Sequence, residues 1–374
     1  MANVLLRSPY HISEDIGSDL SAKLEITIDG TLQYTIIKNK TSSSDYVLFE
    51  ISELVRDYVD ITYNGNVNDS DLNVVVSYVL SIYPAINAGG TATSSSTTTF
   101  LGVDGYGYFE DGSNSSVTKG YMQSNNTIYT LYGEDLRIPV DRNNTTSVTY
   151  LYKGSQTFTK AITTSSTEVF EYIDATDSFK ERVTEDCAVN GCGIYEENPC
   201  LDSFLLNNDL YLVDKVVILT PSETKIVDVI TLDECKYEPK KVSFINRWGA
   251  LQDLWFFKKS VESMNIEKES YKSNILGYDG TYSTSNHVNR DFNVVGKESV
   301  TLSSGFLDEE YNKVFKEMML SEKVWITNVT ESGEQVSPIN VKTGDITYKT
   351  SLNDKLVQYT IQFDKSFDTI NNIR

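Results

Sequence analysis

The feature that most constrains this chain is a period-two alternation of apolar and polar side chains within short segments that end at polar turns. Residues 24–28 and 32–36 both alternate in this way, and Asp29-Gly30 separates them. Successive side chains of a strand point to opposite faces of a sheet, so this pattern buries one face. An Asp-Gly pair tolerates the positive φ of a two-residue turn, and the segment therefore predicts a β-hairpin.

Short segments of the same kind recur along the chain and predict further strands. They cover residues 74–83, 128–140, 148–152, 169–173, 210–219, 225–230, 241–259 and 324–326, with a closing hairpin over 346–363. Residues 89–99 are rich in Gly, Ser and Thr and predict a flexible loop. Two segments have helical spacing instead. The chain is expected to be mainly β, with a multi-domain β-sandwich or small-barrel architecture and a few short packing helices, one near 51–59 and one near 307–320.

The length of 374 residues predicts more than one domain. A single hydrophobic core stops growing at roughly 250–300 residues, so the apolar residues must be divided among several cores. We place an N-terminal β-sandwich-like domain at 1–100, a middle β domain with a cysteine-containing loop at 101–235, and a C-terminal β domain with one amphipathic helix at 236–374.

The net charge of −21 disfavours nucleic acid as a partner, because an acidic surface repels phosphate backbones. Lys236, Lys240, Lys241 and Arg247 form the longest basic cluster, but acids and apolar residues interrupt it, which is typical of a solvated face. No run approaches the ~20 apolar residues of a membrane-spanning helix, so membrane insertion is not expected. Residues 1–10 lack the pattern of a secretory signal, which predicts folding in a cytoplasm.

Several segments carry a resemblance to known proteins. Residues 234–239 (ECKYEP), 244–250 (FINRWGA) and 255–260 (WFFKKS) resemble uncharacterised virion structural proteins, of tail or baseplate type, from marine and Bacteroidetes-infecting tailed phages. Residues 7–10 (RSPY) and 53–59 (ELVRDYV) are similar to the same group. The closing order of helix, strand and hairpin makes the C-terminal domain resemble tail-tube and distal-tail proteins.

The resemblance implies a structural subunit of a tailed-phage virion, made in the host bacterial cytoplasm. Such a subunit assembles into a ring or closed array, with other virion proteins and copies of itself as partners. A receptor- or glycan-binding tail adhesin, a fibre-anchoring protein, a head decoration protein and a neck protein are the alternatives. The resemblance carries no catalytic residues, and no enzyme is expected. The loop with Tyr106, Tyr108 and Phe109 is a candidate contact element, although the same residues can cap their own core.

The four cysteines are the sharpest candidates for a metal site. Cys187, Cys192, Cys200 and Cys235 can close a tetrahedral zinc site, and the turn-rich sequence around the first three suits a stapled loop. Paired CxxC knuckles are absent, and a reducing cytoplasm disfavours disulfides. Structural zinc, free thiols and late-oxidised thiols stay open, and no other cofactor is expected.

Other chemistry-bearing residues give weaker signals. His11 and His287 have no metal-ligand spacing, and His287 lies in a polar stretch typical of an exposed loop. The carboxylates of Asp104, Glu110 and Asp111 suit a glycosidase pair, but 53 acids make such proximity common by chance. The oxygen-rich segment 66–71 lacks the calcium-loop pattern and favours a solvated turn.

Overall fold

The computed structural model describes residues 2–42, 44–65, 72–117, 119–131, 136–174, 212–232, 236–330, 333–347 and 356–370. It confirms a mainly β architecture with several sheets. Two α-helices are present in these ranges, α1 (Ser52–Arg56) and α2 (Tyr311–Met319). Short 3₁₀ turns span Ile86–Ala88 and Phe109–Asp111.

The strands fall into three successive groups along the chain. The first group is β1 (Ala2–Leu5), β2 (His11–Asp15), β3 (Ser21–Ile28), β4 (Thr31–Asn39), β5 (Tyr46–Glu50), β6 (Asn73–Tyr83), β7 (Ser94–Val103) and β8 (Ser116–Val117). The second is β9 (Thr127–Leu131), β10 (Arg137–Asp141), β11 (Ser147–Tyr152), β12 (Thr157–Ala161), β13 (Phe170–Asp174), β14 (Val213–Leu219) and β15 (Thr224–Leu232). The third is β16 (Lys240–Ile245), β17 (Leu251–Phe256), β18 (Val261–Lys272), β19 (Asn289–Ser303), β20 (Leu307–Asp308), β21 (Val324–Thr330), β22 (Gly333–Val341), β23 (Leu356–Val357) and β24 (Thr360–Lys365).

The first group forms a six-stranded sheet in the order β4-β3-β6-β7-β1-β8. The predicted hairpin is confirmed, because β3 and β4 pair antiparallel around Asp29 (φ 47°) and Gly30 (φ 80°). The apolar positions of β3 are all buried, as the period of two requires. Phe49 on β5 and Val55 on α1 are buried in the same core.

The second and third groups share one continuous hydrophobic core. The five-stranded sheet β12-β11-β14-β15-β9 contributes Tyr150, and the seven-stranded sheet β17-β16-β21-β22-β24-β19-β18 contributes Phe256. Helix α2 covers that core with Phe315, whose ring lies 6.1 Å from Phe256 and 4.7 Å from Tyr359. The division into domains at 100 and 235 stays a prediction.

Three local predictions are corrected. The Ser/Thr-rich part of residues 89–99 is strand β7 from Ser94 onward, because its backbone pairs with β6 while its polar side chains stay exposed. The helix predicted at 307–320 begins only at Tyr311, since Leu307–Asp308 pairs with β23. The strand partners shown for β24 are β19 and β22, both of which precede residue 346, and the predicted turn at 353–354 lies outside the described residues.

Candidate assembly surface

A long hairpin extends from the seven-stranded sheet and is called the hairpin arm here, residues 261–298. Strands β18 and β19 pair antiparallel along it, and the register shifts at a bulge between Glu267 and Glu269. Strand β24 pairs with β19 only from Ser299 to Ser303. Residues 289–298 of β19 therefore have β18 as their only strand neighbour in the described sheet.

Turn chemistry closes the distal end of the arm. Asp279 accepts hydrogen bonds at its Oδ1 from the Thr281 amide at 3.1 Å and the Thr281 hydroxyl at 2.7 Å. These bonds hold the pKa of the Asp279 carboxyl below its ordinary value. Gly280, at φ 77°, occupies a conformation that glycine adopts without strain. The sequence thus builds a defined turn at the tip.

Every residue of β18 is exposed, which is unusual for a strand of twelve residues. Ten large apolar side chains of the arm are exposed: Val261, Met264, Ile266, Tyr271, Leu276, Tyr278, Tyr282, Val288, Phe292 and Val294. Single exposed apolar side chains are common on monomers, but ten along one hairpin are more than isolated exposure explains and indicate an interaction surface. The rings of Tyr271 and Phe292 contact each other edge to face at 5.6 Å, so part of the group is already ordered.

Strand β18 is also the edge of its sheet, so half of its backbone hydrogen-bonding groups have no strand partner in the described residues. Such an edge is a template for another strand. Charged side chains interrupt the apolar ones, and Lys268 pairs with Asp291 at 2.7 Å. Charges on an edge discourage indiscriminate sheet pairing, which leaves a partner with a matching pattern as the preferred neighbour.

The base of the arm is fixed to the sheet by polar contacts. Lys365 forms an ion pair with Glu298, and the amide of Thr369 donates to the carbonyl of Gly296 at 2.8 Å. A cleft of about 310 Å³ opens at this base, with Met264 on the arm side and Ile326 on the sheet side. The arm is therefore anchored at one end and exposed along its length.

The predicted contact loop is divided between core and surface. Tyr106 is buried and its ring contacts Tyr108 at 5.7 Å, whereas Phe109 is 98% exposed. Of the proposed glycosidase carboxylates, Asp104 accepts from Arg56 Nε at 2.7 Å and Asp111 pairs with Arg247 at 2.6 Å. Both carboxylates are thus held in ion pairs.

The predicted zinc ligands Cys187, Cys192, Cys200 and Cys235 lie outside the described residues, as does the oxygen-rich segment 66–71. Within the described ranges no group of three or more His, Cys, Asp or Glu side chains could hold a metal. His287 is exposed in the distal loop of the arm. The basic cluster is dispersed: Lys240 pairs with Glu238, and Lys241 is buried beside Trp255.

Sequence reasoning missed the arm. Met264 and Ile266 carry a period of two, and Asp279-Gly280 is a turn signal, so the hairpin itself could have been found. No sequence signal shows that this hairpin extends away from the sheet, because an exposed strand and a half-buried strand share the same alternation.

Comparisons with known proteins add no family. No family model matches the chain, and no curated protein matches it. A solved structure of Drosophila OTK, extracellular domains 3–5, aligns with 80% of this chain and 88% of its own at 9% identity and a TM-score of 0.18. That TM-score is too low to carry an argument about fold or function. Neither helix of the described ranges is long and apolar enough to cross a membrane.

Proposed function

We propose that this chain is a structural subunit of a tailed-phage virion, a tail or baseplate component that assembles into a ring or closed array. The observation that carries the proposal is the hairpin arm, whose edge strand β18 is exposed at every position. The sequence resemblance to virion structural proteins supports the same reading. No catalytic role is proposed.

The size of the arm matches what a stable contact requires. Twelve residues of β18 span about 40 Å, and a two-stranded ribbon is about 10 Å wide, so each face offers roughly 400 Å². A standard interface buries about 800 Å² on each partner. A neighbour that covers both faces of the arm reaches this area.

The occupant we propose is a second copy of the same chain. A copy offers surfaces of the same kind, namely exposed strand edges such as β4 and exposed apolar side chains such as Ile37. An arm that reaches a different surface of the next copy makes a head-to-tail contact, and repeated contacts of this type close into a ring. Other virion proteins would then bind the assembled ring.

The first test is self-association of the purified chain. We expect sedimentation velocity to show a species larger than a monomer as the concentration rises. The double variant Ile266→Glu with Phe292→Glu places two charges on the arm and should remain monomeric, because a buried unpaired charge is strongly unfavourable at an interface. The matched control is Leu219→Glu together with Ile226→Glu, two exposed apolar residues on β14 and β15, outside both the arm and β4.

A wild-type chain that stays monomeric would refute the proposed copy-to-copy contact, and equal loss of assembly in the control would show that the arm is not the specific contact. Position in the particle needs a separate measurement. Antibody labelling of virions, viewed by electron microscopy, should mark the tail or baseplate. Labelling of the head or neck would replace the proposed location with one of the alternatives.

A second candidate function, a glycan-binding tail adhesin, is favoured by the tip of the arm. Tyr278 is fully exposed and Tyr282 is 64% exposed, and aromatic faces of this kind can stack on sugars. Binding to glycans from host cell surfaces should then disappear in the Tyr278→Ala, Tyr282→Ala variant and persist in Tyr46→Ala, an exposed tyrosine on β5. Absence of glycan binding by the assembled wild-type chain leaves the structural role alone.

A further inference from the structure

A second cleft, of about 490 Å³, lies between helix α2 and the segments at 119–126, 223–225 and 247–248. Its volume falls within the range of small-molecule sites, roughly 300–1,000 Å³. The cleft lies apart from the arm, since none of its lining residues belongs to β18 or β19. It is called the α2 cleft below.

The lining of the α2 cleft is basic although the chain is acidic. Lys119, Lys225, Arg247, Lys313 and Lys316 line it, against the two carboxylates Glu223 and Glu317. Across the whole chain the balance is reversed, with 32 basic and 53 acidic residues. A concave surface of one charge sign raises the local concentration of the opposite ion.

A tight bend places Arg247 at the cleft. Asn246 Oδ1 accepts from the Trp248 amide at 3.0 Å and from the Ala250 amide at 3.2 Å, and Gly249 adopts a positive φ of 79°. The Tyr106 amide donates to the Arg247 carbonyl at 2.7 Å. The backbone on both sides of the guanidinium is therefore held in place.

The cations of the cleft differ in how far they are already neutralised. Arg247 pairs with Asp111 at 2.6 Å, and Lys225 donates to Asn126 Oδ1. Lys316 lies 4.0 Å from the centre of the Tyr108 ring. Lys119 and Lys313 are exposed and form no ion pair in the part of the chain that the structure describes. These two ammonium groups are therefore available to bind an anion.

Two buried polar atoms of the site also lack partners. Glu317 is 1% exposed, and its Oε1 accepts from the Ser124 hydroxyl at 2.5 Å. Its Oε2 and the Nε of Arg247 are buried without a hydrogen-bond partner among the described residues. A buried polar atom left unpaired costs about 1–3 kcal/mol, and both of these side chains line the cleft.

We propose that the α2 cleft binds a small organic anion through a phosphate or carboxylate group, which Lys119, Lys313 and Arg247 hold. Glu317 lines the same cleft beside these cations. Both ligand groups present the planar or tetrahedral oxygens that charged N–H donors prefer. The site is independent of the arm and of self-association.

The state of Glu317 fits a site of this kind. Burial raises the pKa of its carboxyl to about 7, although the Ser124 hydroxyl and the charges of Arg247 and Lys313 oppose the rise. The phenols of Tyr106 and Tyr121 also face this carboxyl, and burial holds the pKa of each above its ordinary value. For a ligand of constant charge, binding is therefore expected to be tighter at about pH 6, where Glu317 carries its proton, than at about pH 8, where the charged Glu317 repels the ligand.

The test is titration of the full-length chain with inorganic phosphate and, separately, with citrate, by calorimetry at constant ionic strength. We expect one site for at least one of the two probes, and the probe that binds identifies the preferred oxyanion. The Lys119→Gln, Lys313→Gln variant should bind the probe at least about tenfold more weakly, since two charge-assisted contacts are lost. Lys259→Gln, an exposed lysine distant from the cleft lining, should bind as the wild type does.

Three results would overturn the proposal. They are absence of binding for both probes, equal weakening in the Lys259→Gln control, and unchanged affinity in the double variant. Both substitutions remove exposed side chains without ion pairs, so loss of folding is not expected, and a circular dichroism melt checks it. The pH dependence is an additional readout. Phosphate and citrate lose a proton in this range themselves, so the wild type is compared with Glu317→Gln for the same probe, and the wild type should lose affinity relative to the variant between about pH 6 and about pH 8.

Discussion

The hairpin arm and the α2 cleft invert the ordinary arrangement of side chains in opposite ways. In the arm, apolar side chains such as Ile266 and Phe292 are exposed and the backbone edge is open. In the cleft, the carboxyl of Glu317 is buried, and one of its oxygens has no hydrogen-bond partner within the described ranges. Both arrangements cost stability in the isolated chain. The comparison teaches that a folded protein can keep two kinds of unsatisfied group. Exposed apolar side chains suit a protein surface, and a buried polar group suits an ion.

The largest expected effect separates a core position from an arm position of the same residue type. Phe315→Ala on α2 should lower the free energy of unfolding by about 3–5 kcal/mol, because it leaves a cavity in the shared core. Phe292→Ala on the arm should change it by about 0.5 kcal/mol or less, since the ring is already 45% exposed. Urea denaturation, at a protein concentration low enough to keep the chain monomeric, measures the free energy of unfolding of both variants. A large loss in Phe292→Ala would show that the arm is part of the cooperative fold.

The next effect concerns the buried carboxyl of the cleft. Its pKa rises from 4.5 to about 7 on folding, so the folded state holds its proton more tightly than the unfolded state does. The contribution of Glu317 to stability is therefore complete below the unfolded value and becomes a penalty as pH rises from about 4.5 to about 7. The penalty at higher pH is on the order of 3 kcal/mol. Glu317→Gln removes this titration.

Denaturation of the wild type and Glu317→Gln across this range of pH measures the difference. The variant should gain stability relative to the wild type as pH rises through the window, and the gap should then stay constant. A gap that does not change with pH would mean that folding does not shift the pKa of Glu317. The arm has no buried carboxyl of this kind among its described residues, and its substitution Glu267→Gln is the control.

The smallest effect comes from the exposed ion pair of the arm. Lys268 and Asp291 approach to 2.7 Å, but both side chains are about half exposed. Exposed pairs contribute about 0.2–1 kcal/mol, so Lys268→Ala should shift the unfolding midpoint only slightly and less still at high salt. The effect on self-association should be larger, because the charge lies on the proposed contact. A shift in monomer stability larger than this range would contradict the view that the arm is loosely coupled to the body.

Much of the fold could be predicted from local pattern. The alternation of residues 24–36 and the Asp29-Gly30 turn predicted a hairpin that the structure confirms. Residues 94–99 were misjudged because their composition is typical of loops, while the pairing of β7 with β6 is a tertiary effect. The α2 cleft was beyond sequence reasoning, since Lys119, Arg247 and Lys313 are far apart in the chain. Only the folded backbone brings these three residues together, and no local spacing in the sequence indicates that they lie close to one another.

The bulge between Glu267 and Glu269 has a consequence for the geometry of any assembly built through the arm. A β-bulge bends a ribbon and increases its twist, so these residues set the direction in which the distal half of the arm points. If copies join head to tail, that direction fixes the rotation from one subunit to the next, and so the number of subunits per turn. Two residues of β19 lie opposite Lys268 at this bulge, and one of them, Asn293, has a positive φ of 51°. Removing Asn293 would alter the angle between junctions. Circles of another size, or open spirals, would follow.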